Sequence, residues 1–307
     1  MNAQTSRHNT KIELKPLLFK VGFLLWILCT AIGCDETFQP LKENDRFHFS
    51  VFGYLDATAD TQIVRLIPLR KSILELPPID DVTVTLTHLE SGEQTVMQDS
   101  LYRFYYDEAQ TYNYLTNMEI LPEQRYRLDA KHADGRSSHT TVTIPPEFPE
   151  PWFSNPTVLR VEGVERLAEV RVIYHLQYLH PHGWGEPFTI TIPHLERTNQ
   201  FTPTSHRVFL NPTLDQEAIR GANCDVLDQS LLNIYIRNRE IFVASAGPEW
   251  VDFLALDEVV ETFPDQISNI ENGTGFFAGI VSKIIPYNQN LTTLIECEID
   301  DDEEEDE

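Results

Sequence analysis

The sequence is short of positive charge, glycine and long apolar runs, and each shortage excludes a class of protein. It has 23 Lys and Arg against 48 Asp and Glu, a net charge of −25, whereas a general nucleic-acid binder needs a basic face for phosphates. No run of about 18 apolar residues occurs, so no transmembrane helix is expected. Only 13 glycines are present, which excludes collagen-like and low-complexity chains, and no internal repeat at a fixed period is visible. With 41% apolar residues, the chain can still bury a core.

Common catalytic motifs are also missing. The sequence has no Gly-x-Ser-x-Gly elbow, no Gly-x-x-x-x-Gly-Lys loop and no His-Glu-x-x-His pair, which argues against serine hydrolases, nucleotide enzymes and zinc proteases. We therefore predict a protein that is not an enzyme and holds no cofactor. An enzyme with an unrecognised site stays open, because paired carboxylates cannot be chosen among 48 acidic residues without geometry.

The N-terminus has the pattern of an export signal. An apolar run of 13 residues, Val21 to Gly33, follows four basic residues: Arg7, Lys11, Lys15 and Lys20. The run is too short to span a bilayer and is typical of a secretory signal. It ends in Ala31-Ile32-Gly33-Cys34, which resembles the bacterial lipobox. That resemblance implies cleavage after residue 33 and lipidation of Cys34, with several acyl chains giving a permanent anchor. An ordinary signal peptide with an incidental Cys is the alternative.

Acidic residues follow the predicted lipidation site. Asp35 and Glu36 resemble the surface-export signal of lipoproteins in Bacteroidetes-type bacteria, and a solvated tether is the plainer interpretation. We predict a signal peptide at 1–33, a tether at 34–45, and a protein anchored in the outer membrane of a Gram-negative bacterium, on the cell surface. Loss of four basic residues and one acidic residue with the signal would take the net charge from −25 to −28.

Alternating apolar residues predict a first domain of short strands at 46–146. Val82, Val84 and Leu86 alternate with threonines, and Tyr126, Leu128 and Ala130 repeat the period of two, which is typical of half-buried strands. Turn signals separate the runs at Ser91-Gly92 and Asp134-Gly135. Short strands with regular turns indicate an antiparallel sandwich.

A larger β-rich domain is predicted at 152–297, after a stiff junction of four prolines (Pro145, Pro146, Pro149 and Pro151). Apolar alternation recurs at 170–178, 188–192 and 232–236. Two short helices are expected, one opening with the capping-box pattern at 213–216 and stopping at Gly221, the other beginning near Pro248. Residues 300–307 are all Asp or Glu, so 298–307 is predicted to be a disordered acidic tail.

The order of these segments resembles a Bacteroidetes lipoprotein family described only as domain of unknown function 4249. The stretch Asn269 to Phe277 is the most specific match, and the resemblance spans nearly the whole mature chain. It implies a lipobox, an immunoglobulin-like first domain and a larger β-rich second domain. Members of the family commonly end in a segment that contains Cys and Trp, whereas this sequence ends in a run of acidic residues. Any role of the family's C-terminal segment is therefore in doubt here.

The family resemblance also suggests a partner. Its members are often encoded near TonB-dependent receptors of the outer membrane, which implies a receptor partner and an accessory or binding role without catalysis. Two alternatives stay open: a carbohydrate-binding lipoprotein, and a structural or adhesive surface protein. The resemblance assigns no catalytic residue.

Two cysteines, Cys224 and Cys297, remain in the mature chain after Cys29 leaves and Cys34 is lipidated. A pair in an exported protein favours one disulfide, and two buried free thiols are the alternative.

Aromatic residues and histidines cluster early in the second domain. Tyr178, Trp184 and Phe188 lie in or beside a loop rich in Pro and Gly and form a candidate platform for a sugar or peptide, although aromatics on strands are more often core. Four histidines lie nearby without a metal-binding motif, so we predict no metal site: His175, His180, His182 and His194.

Overall fold

A computed structural model describes residues 47–69, 81–104, 109–180, 183–195, 198–224, 233–250, 268–287 and 294–297. The predicted signal peptide, Cys34, the tether, the acidic tail and all but the first residues of the second predicted helix lie outside the described residues.

The described residues form one helix and a long series of strands. The helix is α1 (Pro212–Cys224). The strands are β1 (Phe49–Asp56), β2 (Gln62–Pro68), β3 (Val82–His88), β4 (Gln94–Val96), β5 (Gln98–Phe104), β6 (Ala109–Thr116), β7 (Arg125–His132), β8 (Ser137–Thr143), β9 (Trp152–Asn155), β10 (Val158–Glu162), β11 (Leu167–His180), β12 (Gly183–Pro193), β13 (Thr198–Thr202), β14 (Ser205–Phe209), β15 (Asn233–Ala246), β16 (Gly273–Pro286) and β17 (Leu294–Glu296).

The predicted mainly β, sandwich-like class is confirmed. Sheet A has nine strands in the order β12-β11-β15-β16-β1-β2-β6-β5, with β17 paired to β15. Sheet B has the order β4-β3-β7-β8, and sheet C the order β13-β14-β10-β9. All pairings within the three sheets are antiparallel except that of β1 with β16.

Alternation along the strands sends one row of side chains into a common core. In β3 the buried residues are Val84, Leu86 and His88, while the threonines between them are more exposed. The core joins the inner face of sheet A to sheets B and C: its members include Val64 of sheet A, Leu128 of sheet B and Leu159 of sheet C. Burial of these side chains provides the main driving force for the fold.

Sheet A is continuous across the residues predicted as two domains. Strand β1, from the first predicted domain, pairs in parallel with β16, from the second, over Phe49–Asp56 and Gly273–Ile280. A parallel pair needs a long crossover, and here the crossover is most of the chain. The boundary at 146–152 stays a prediction.

Helix α1 begins one residue earlier and ends later than its sequence signals indicate. Pro212 occupies the first turn, where its missing N–H is harmless, and the Leu214 N–H donates to Oδ1 of Asn211 at 3.3 Å, so Asn211 is the cap. The stop predicted at Gly221 is wrong, because the helix continues to Cys224. Among the described residues, no helix is both long and apolar enough to cross a membrane.

Candidate binding surfaces

A buried polar cluster, the Asp215 network, joins helix α1 to sheet A. The Tyr174 hydroxyl donates to Asp215 Oδ2 at 2.8 Å, and His194 Nε2 lies 3.0 Å from the same oxygen. Histidine, carboxylate and phenol are acid–base groups, yet none of the three is more than 2% exposed. A substrate cannot reach them, so this network is structural: it holds the first turn of α1 against β11 and the end of β12.

Burial also raises the pKa values of three tyrosines in the core. It raises the pKa of Tyr174, and the neighbouring Asp215 carboxylate raises it further. Burial raises the pKa of Tyr114 to about 12 and that of Tyr287 to about 12. These three buried tyrosines therefore stay protonated in the folded chain at a pH where a free phenol ionises.

The two predicted cysteines form a disulfide. Cys224, at the end of α1, is bonded to Cys297, just after β17, with Cα atoms 5.5 Å apart and a sequence separation of 73. Closing a loop of this length stabilises the fold by about 4 kcal/mol in the chain-entropy account. The bond therefore fastens the helix to the end of the described chain.

Residues 269–277, the stretch on which the expectation of a family resemblance rests most, form the junction segment between sheets A and B. Its Glu271 exchanges backbone hydrogen bonds with His139 of β8, at 2.8 and 3.1 Å. Ser138 Oγ donates to the Asn272 carbonyl at 2.6 Å, and Thr140 Oγ1 donates to the Asn269 carbonyl at 2.8 Å. The segment thus covers the edge of sheet B.

Side chains and glycines also determine how the junction segment enters sheet A. The Asn269 side chain binds both the N–H and the carbonyl of Phe277. Gly275 has φ +115°, and a Cβ there would collide with the carbonyl oxygen of Val51 on β1. Only glycine fits this close approach. These residues have architectural roles, which explains their pattern without a ligand.

The predicted platform of Tyr178, Trp184 and Phe188 is not formed as a unit. Tyr178 and Phe188 stack with ring centroids 4.4 Å apart, packed on the core. Trp184 instead lies edge-on to Tyr235 at 5.3 Å and is 58% exposed. The physical reason is a bulge in β12, which has one extra residue opposite the 177–179 segment of β11. The extra residue places the Trp184 side chain on the opposite face of the sheet from Tyr178 and Phe188.

The predicted group of histidines is dispersed as well. His194 belongs to the Asp215 network, whereas His175 Nε2 lies 3.1 Å from Glu240 Oε2 on the outer face of sheet A. The side chains of His180 and His182 lie outside the described part. Among the described residues, no three His, Cys, Asp or Glu side chains are arranged to hold a metal ion.

A cleft of about 680 Å³ lies where the proline junction meets the end of β15. Arg166 lines this cleft, and its guanidinium already has hydrogen-bond partners within the chain. Its Nη1 donates to the carbonyls of Gly247 at 2.9 Å and Pro248 at 2.7 Å. These bonds clamp the turn after β15, so the arginine has a structural partner on the cleft wall.

The outer face of sheet A carries an apolar strip, the outer strip, formed by Phe52, Tyr54, Ile63 and Ile67. These side chains are between 36% and 52% exposed. Tyr54 lies directly across from Ile63, and Phe52 from Arg65, beside a hollow of about 550 Å³. Contiguous apolar surface of this kind marks an interaction site more often than single exposed residues do.

The outer face of sheet C carries a second surface, the arginine patch, formed by Trp152, Arg160, Arg207, Asn199, Phe201 and Phe209. Arg160 lies directly opposite Arg207 on one side and Trp152 on the other, and Arg207 lies opposite Asn199. The four residues form one row across the sheet, about 14 Å long at normal strand spacing. The Arg207 guanidinium stacks on Phe201, 4.0 Å from the ring centroid.

The two arginines of this patch lack anionic partners. Within the described part of the chain, no salt bridge involves either one, although 48 acidic residues are present in the sequence. Their Nε atoms are buried without a hydrogen-bond partner, at a cost of about 1–3 kcal/mol for each such group. Like charges directly across a pair of strands cost roughly 0.2–1 kcal/mol more. The arrangement is unfavourable for folding alone and suits a bound anion.

The arginine patch was not predicted from the sequence, although part of its signal is visible there. Arg160 lies between Leu159 and Val161, and Arg207 between His206 and Val208, so alternation alone would place both arginines outside. What alternation cannot supply is the pairing of β10 with β14 that makes them neighbours.

Comparison with known proteins adds no assignment. No family model matches the chain, and no curated protein matches it.

Proposed function

We propose that the chain is an exported, lipid-anchored protein of the outer membrane that acts as a non-enzymatic accessory subunit, with a TonB-dependent receptor as its partner. The sequence supports the anchor through its basic, short apolar N-terminus and Cys34. The resemblance of the mature chain to the Bacteroidetes lipoprotein family supports the partner.

The observation that carries the proposal is the outer strip. Phe52 and Ile63 are about half exposed, at 47% and 52%, on neighbouring strands. Aromatic and aliphatic side chains with an arginine among them are the composition that protein interfaces favour at their centre. The chain as a whole is strongly acidic, so a strip of neighbouring exposed apolar side chains is best explained by a protein that covers it.

The test is isolation of the tagged, lipidated protein from outer membranes in a gentle detergent, in three forms. Wild type is expected to bring a TonB-dependent receptor with it in near-equal amount. Ile63→Lys places a charge in the outer strip and is expected to lose the receptor. Val96→Lys, at an equally apolar and 66% exposed position on β4, is the matched control and should keep it.

Two results would contradict the proposal. An empty isolation from wild-type cells would leave a lipoprotein with no receptor partner. Equal recovery of the receptor by wild type and Ile63→Lys would remove the outer strip from the contact.

A further inference from the structure

We propose that the arginine patch on sheet C binds a saccharide that carries a carboxylate. The site is separate from the outer strip and does not rest on the receptor partner, so the two ideas fail independently.

The need for an anion comes from the two guanidinium groups. Arg160 and Arg207 face each other across β10 and β14 without a carboxylate partner among the described residues. Each has a buried Nε that lacks a hydrogen-bond partner. A planar guanidinium presents paired N–H donors that match a carboxylate in two-point geometry. One carboxylate bound between the two guanidinium groups would relieve the repulsion between their like charges.

The aromatic side chains point to a ring-shaped ligand. Trp152, Phe201 and Phe209 are 48%, 63% and 41% exposed on the same patch. Their rings offer flat apolar faces, while the Asn199 amide at the end of the row can both donate to and accept from hydroxyl groups. Stacking on Phe201 also holds the Arg207 side chain in place, so less freedom is lost when a ligand binds. Apolar ring faces with a few polar groups are the usual composition of a small-ligand site.

The position of the patch argues against the other anionic partners. Strands β10 and β14 are the two central strands of sheet C, so their backbone groups are already paired, whereas an extended peptide usually docks at a free sheet edge. An anionic membrane would face a chain with a net charge of −25, which repels a densely charged surface more than it repels a ligand with a single carboxylate.

The experiment is titration calorimetry on the purified full chain with galacturonate and with sialyllactose, which carry one carboxylate each, both compared with their neutral methyl esters. At least one acid is expected to bind, about tenfold or more tightly than its ester. Arg160→Gln and Arg207→Gln should each weaken binding of the acid by about tenfold, and Trp152→Ala should weaken acid and ester alike. Arg220→Gln changes the charge equally on the exposed face of α1 and should bind as wild type does.

The thermal midpoint of each variant shows whether it is folded, and that of Arg160→Gln should not fall, because the change removes a like-charge pair. The proposal is overturned if neither acid binds to the folded wild type, if acid and ester bind equally, or if Arg220→Gln weakens binding as much as Arg160→Gln does. Capture of phosphatidylglycerol vesicles through the same arginines, without binding of either acid, would assign the patch to a membrane surface instead.

Discussion

Replacement of Asp215 by alanine tests whether the buried network, and not apolar packing alone, holds helix α1 on sheet A. The carboxylate accepts a hydrogen bond from the Tyr174 hydroxyl at 2.8 Å and lies 3.0 Å from His194 Nε2. Alanine would leave both of these groups buried without that partner, since Tyr174 and His194 are at most 1% exposed.

The expected loss follows from the number of groups left without a partner. Each buried polar group that loses its partner costs about 1–3 kcal/mol, so two such groups cost about 2–6 kcal/mol in the free energy of unfolding. That is a large part of the roughly 5–15 kcal/mol that a native protein has. A second change, Tyr174→Phe, should recover part of the loss in the Asp215→Ala background, because it removes one of the two orphaned groups.

Urea unfolding of the oxidised protein, followed by tryptophan fluorescence, measures the effect. At a slope of about 2 kcal/mol per molar urea, the midpoint should fall by about 1–3 M for Asp215→Ala. Glu217→Ala, on the exposed face of the same helix, is the matched control and should shift it by much less. A loss below about 1 kcal/mol for Asp215→Ala, or a further loss on adding Tyr174→Phe, would refute the reasoning.

Three further predictions concern other parts of the fold. Reduction of the bond between Cys224 and Cys297 should lower stability by about 4 kcal/mol, read as the difference in urea midpoint between oxidised and reduced protein; equal midpoints would contradict it. The three buried tyrosines keep their protons while the unfolded chain loses them above pH 10, so stability should fall as the pH rises from about 10 towards 12, by up to about 1.4 kcal/mol per pH unit for each tyrosine; a flat profile of thermal midpoint against pH would count against this. Gly275→Ala should destabilise by more than about 2 kcal/mol, because of its positive φ and the collision with Val51. Gly221→Ala, in open space on the helix, should instead stabilise by about 0.5–1 kcal/mol, and equal effects of the two changes would be inconsistent with the geometry.

Local patterns predicted the strands well, because alternation reports directly on which face is buried. The run at Val82, Val84 and Leu86 predicts β3, and the structure has this strand at Val82–His88. The same holds at Phe188, Ile190 and Ile192, which form the inner face of β12. The cysteine count likewise predicted the disulfide.

Features that depend on distant pairings could not be predicted in this way. The parallel pairing of β1 with β16 joins residues more than 200 positions apart, and nothing local to either strand specifies it. Asp215 falls inside the capping-box pattern at 213–216, yet its carboxylate meets Tyr174 on β11 and His194 just after β12. The bulge that turns Trp184 away from Tyr178 is invisible to a pattern of period two.

The central claim is the proposal that this chain is an accessory subunit of an outer-membrane receptor, and its most direct test is the mass of the species in which the lipidated protein is extracted. Native mass spectrometry of the tagged, lipidated protein, extracted in gentle detergent, should give the mass of one lipidated chain plus one TonB-dependent receptor. Ile63→Lys should give the lipidated chain alone, and Val96→Lys should give the complex. A mass equal to the chain alone in the wild type, from cells that contain such receptors, would contradict the account of this protein as an accessory subunit.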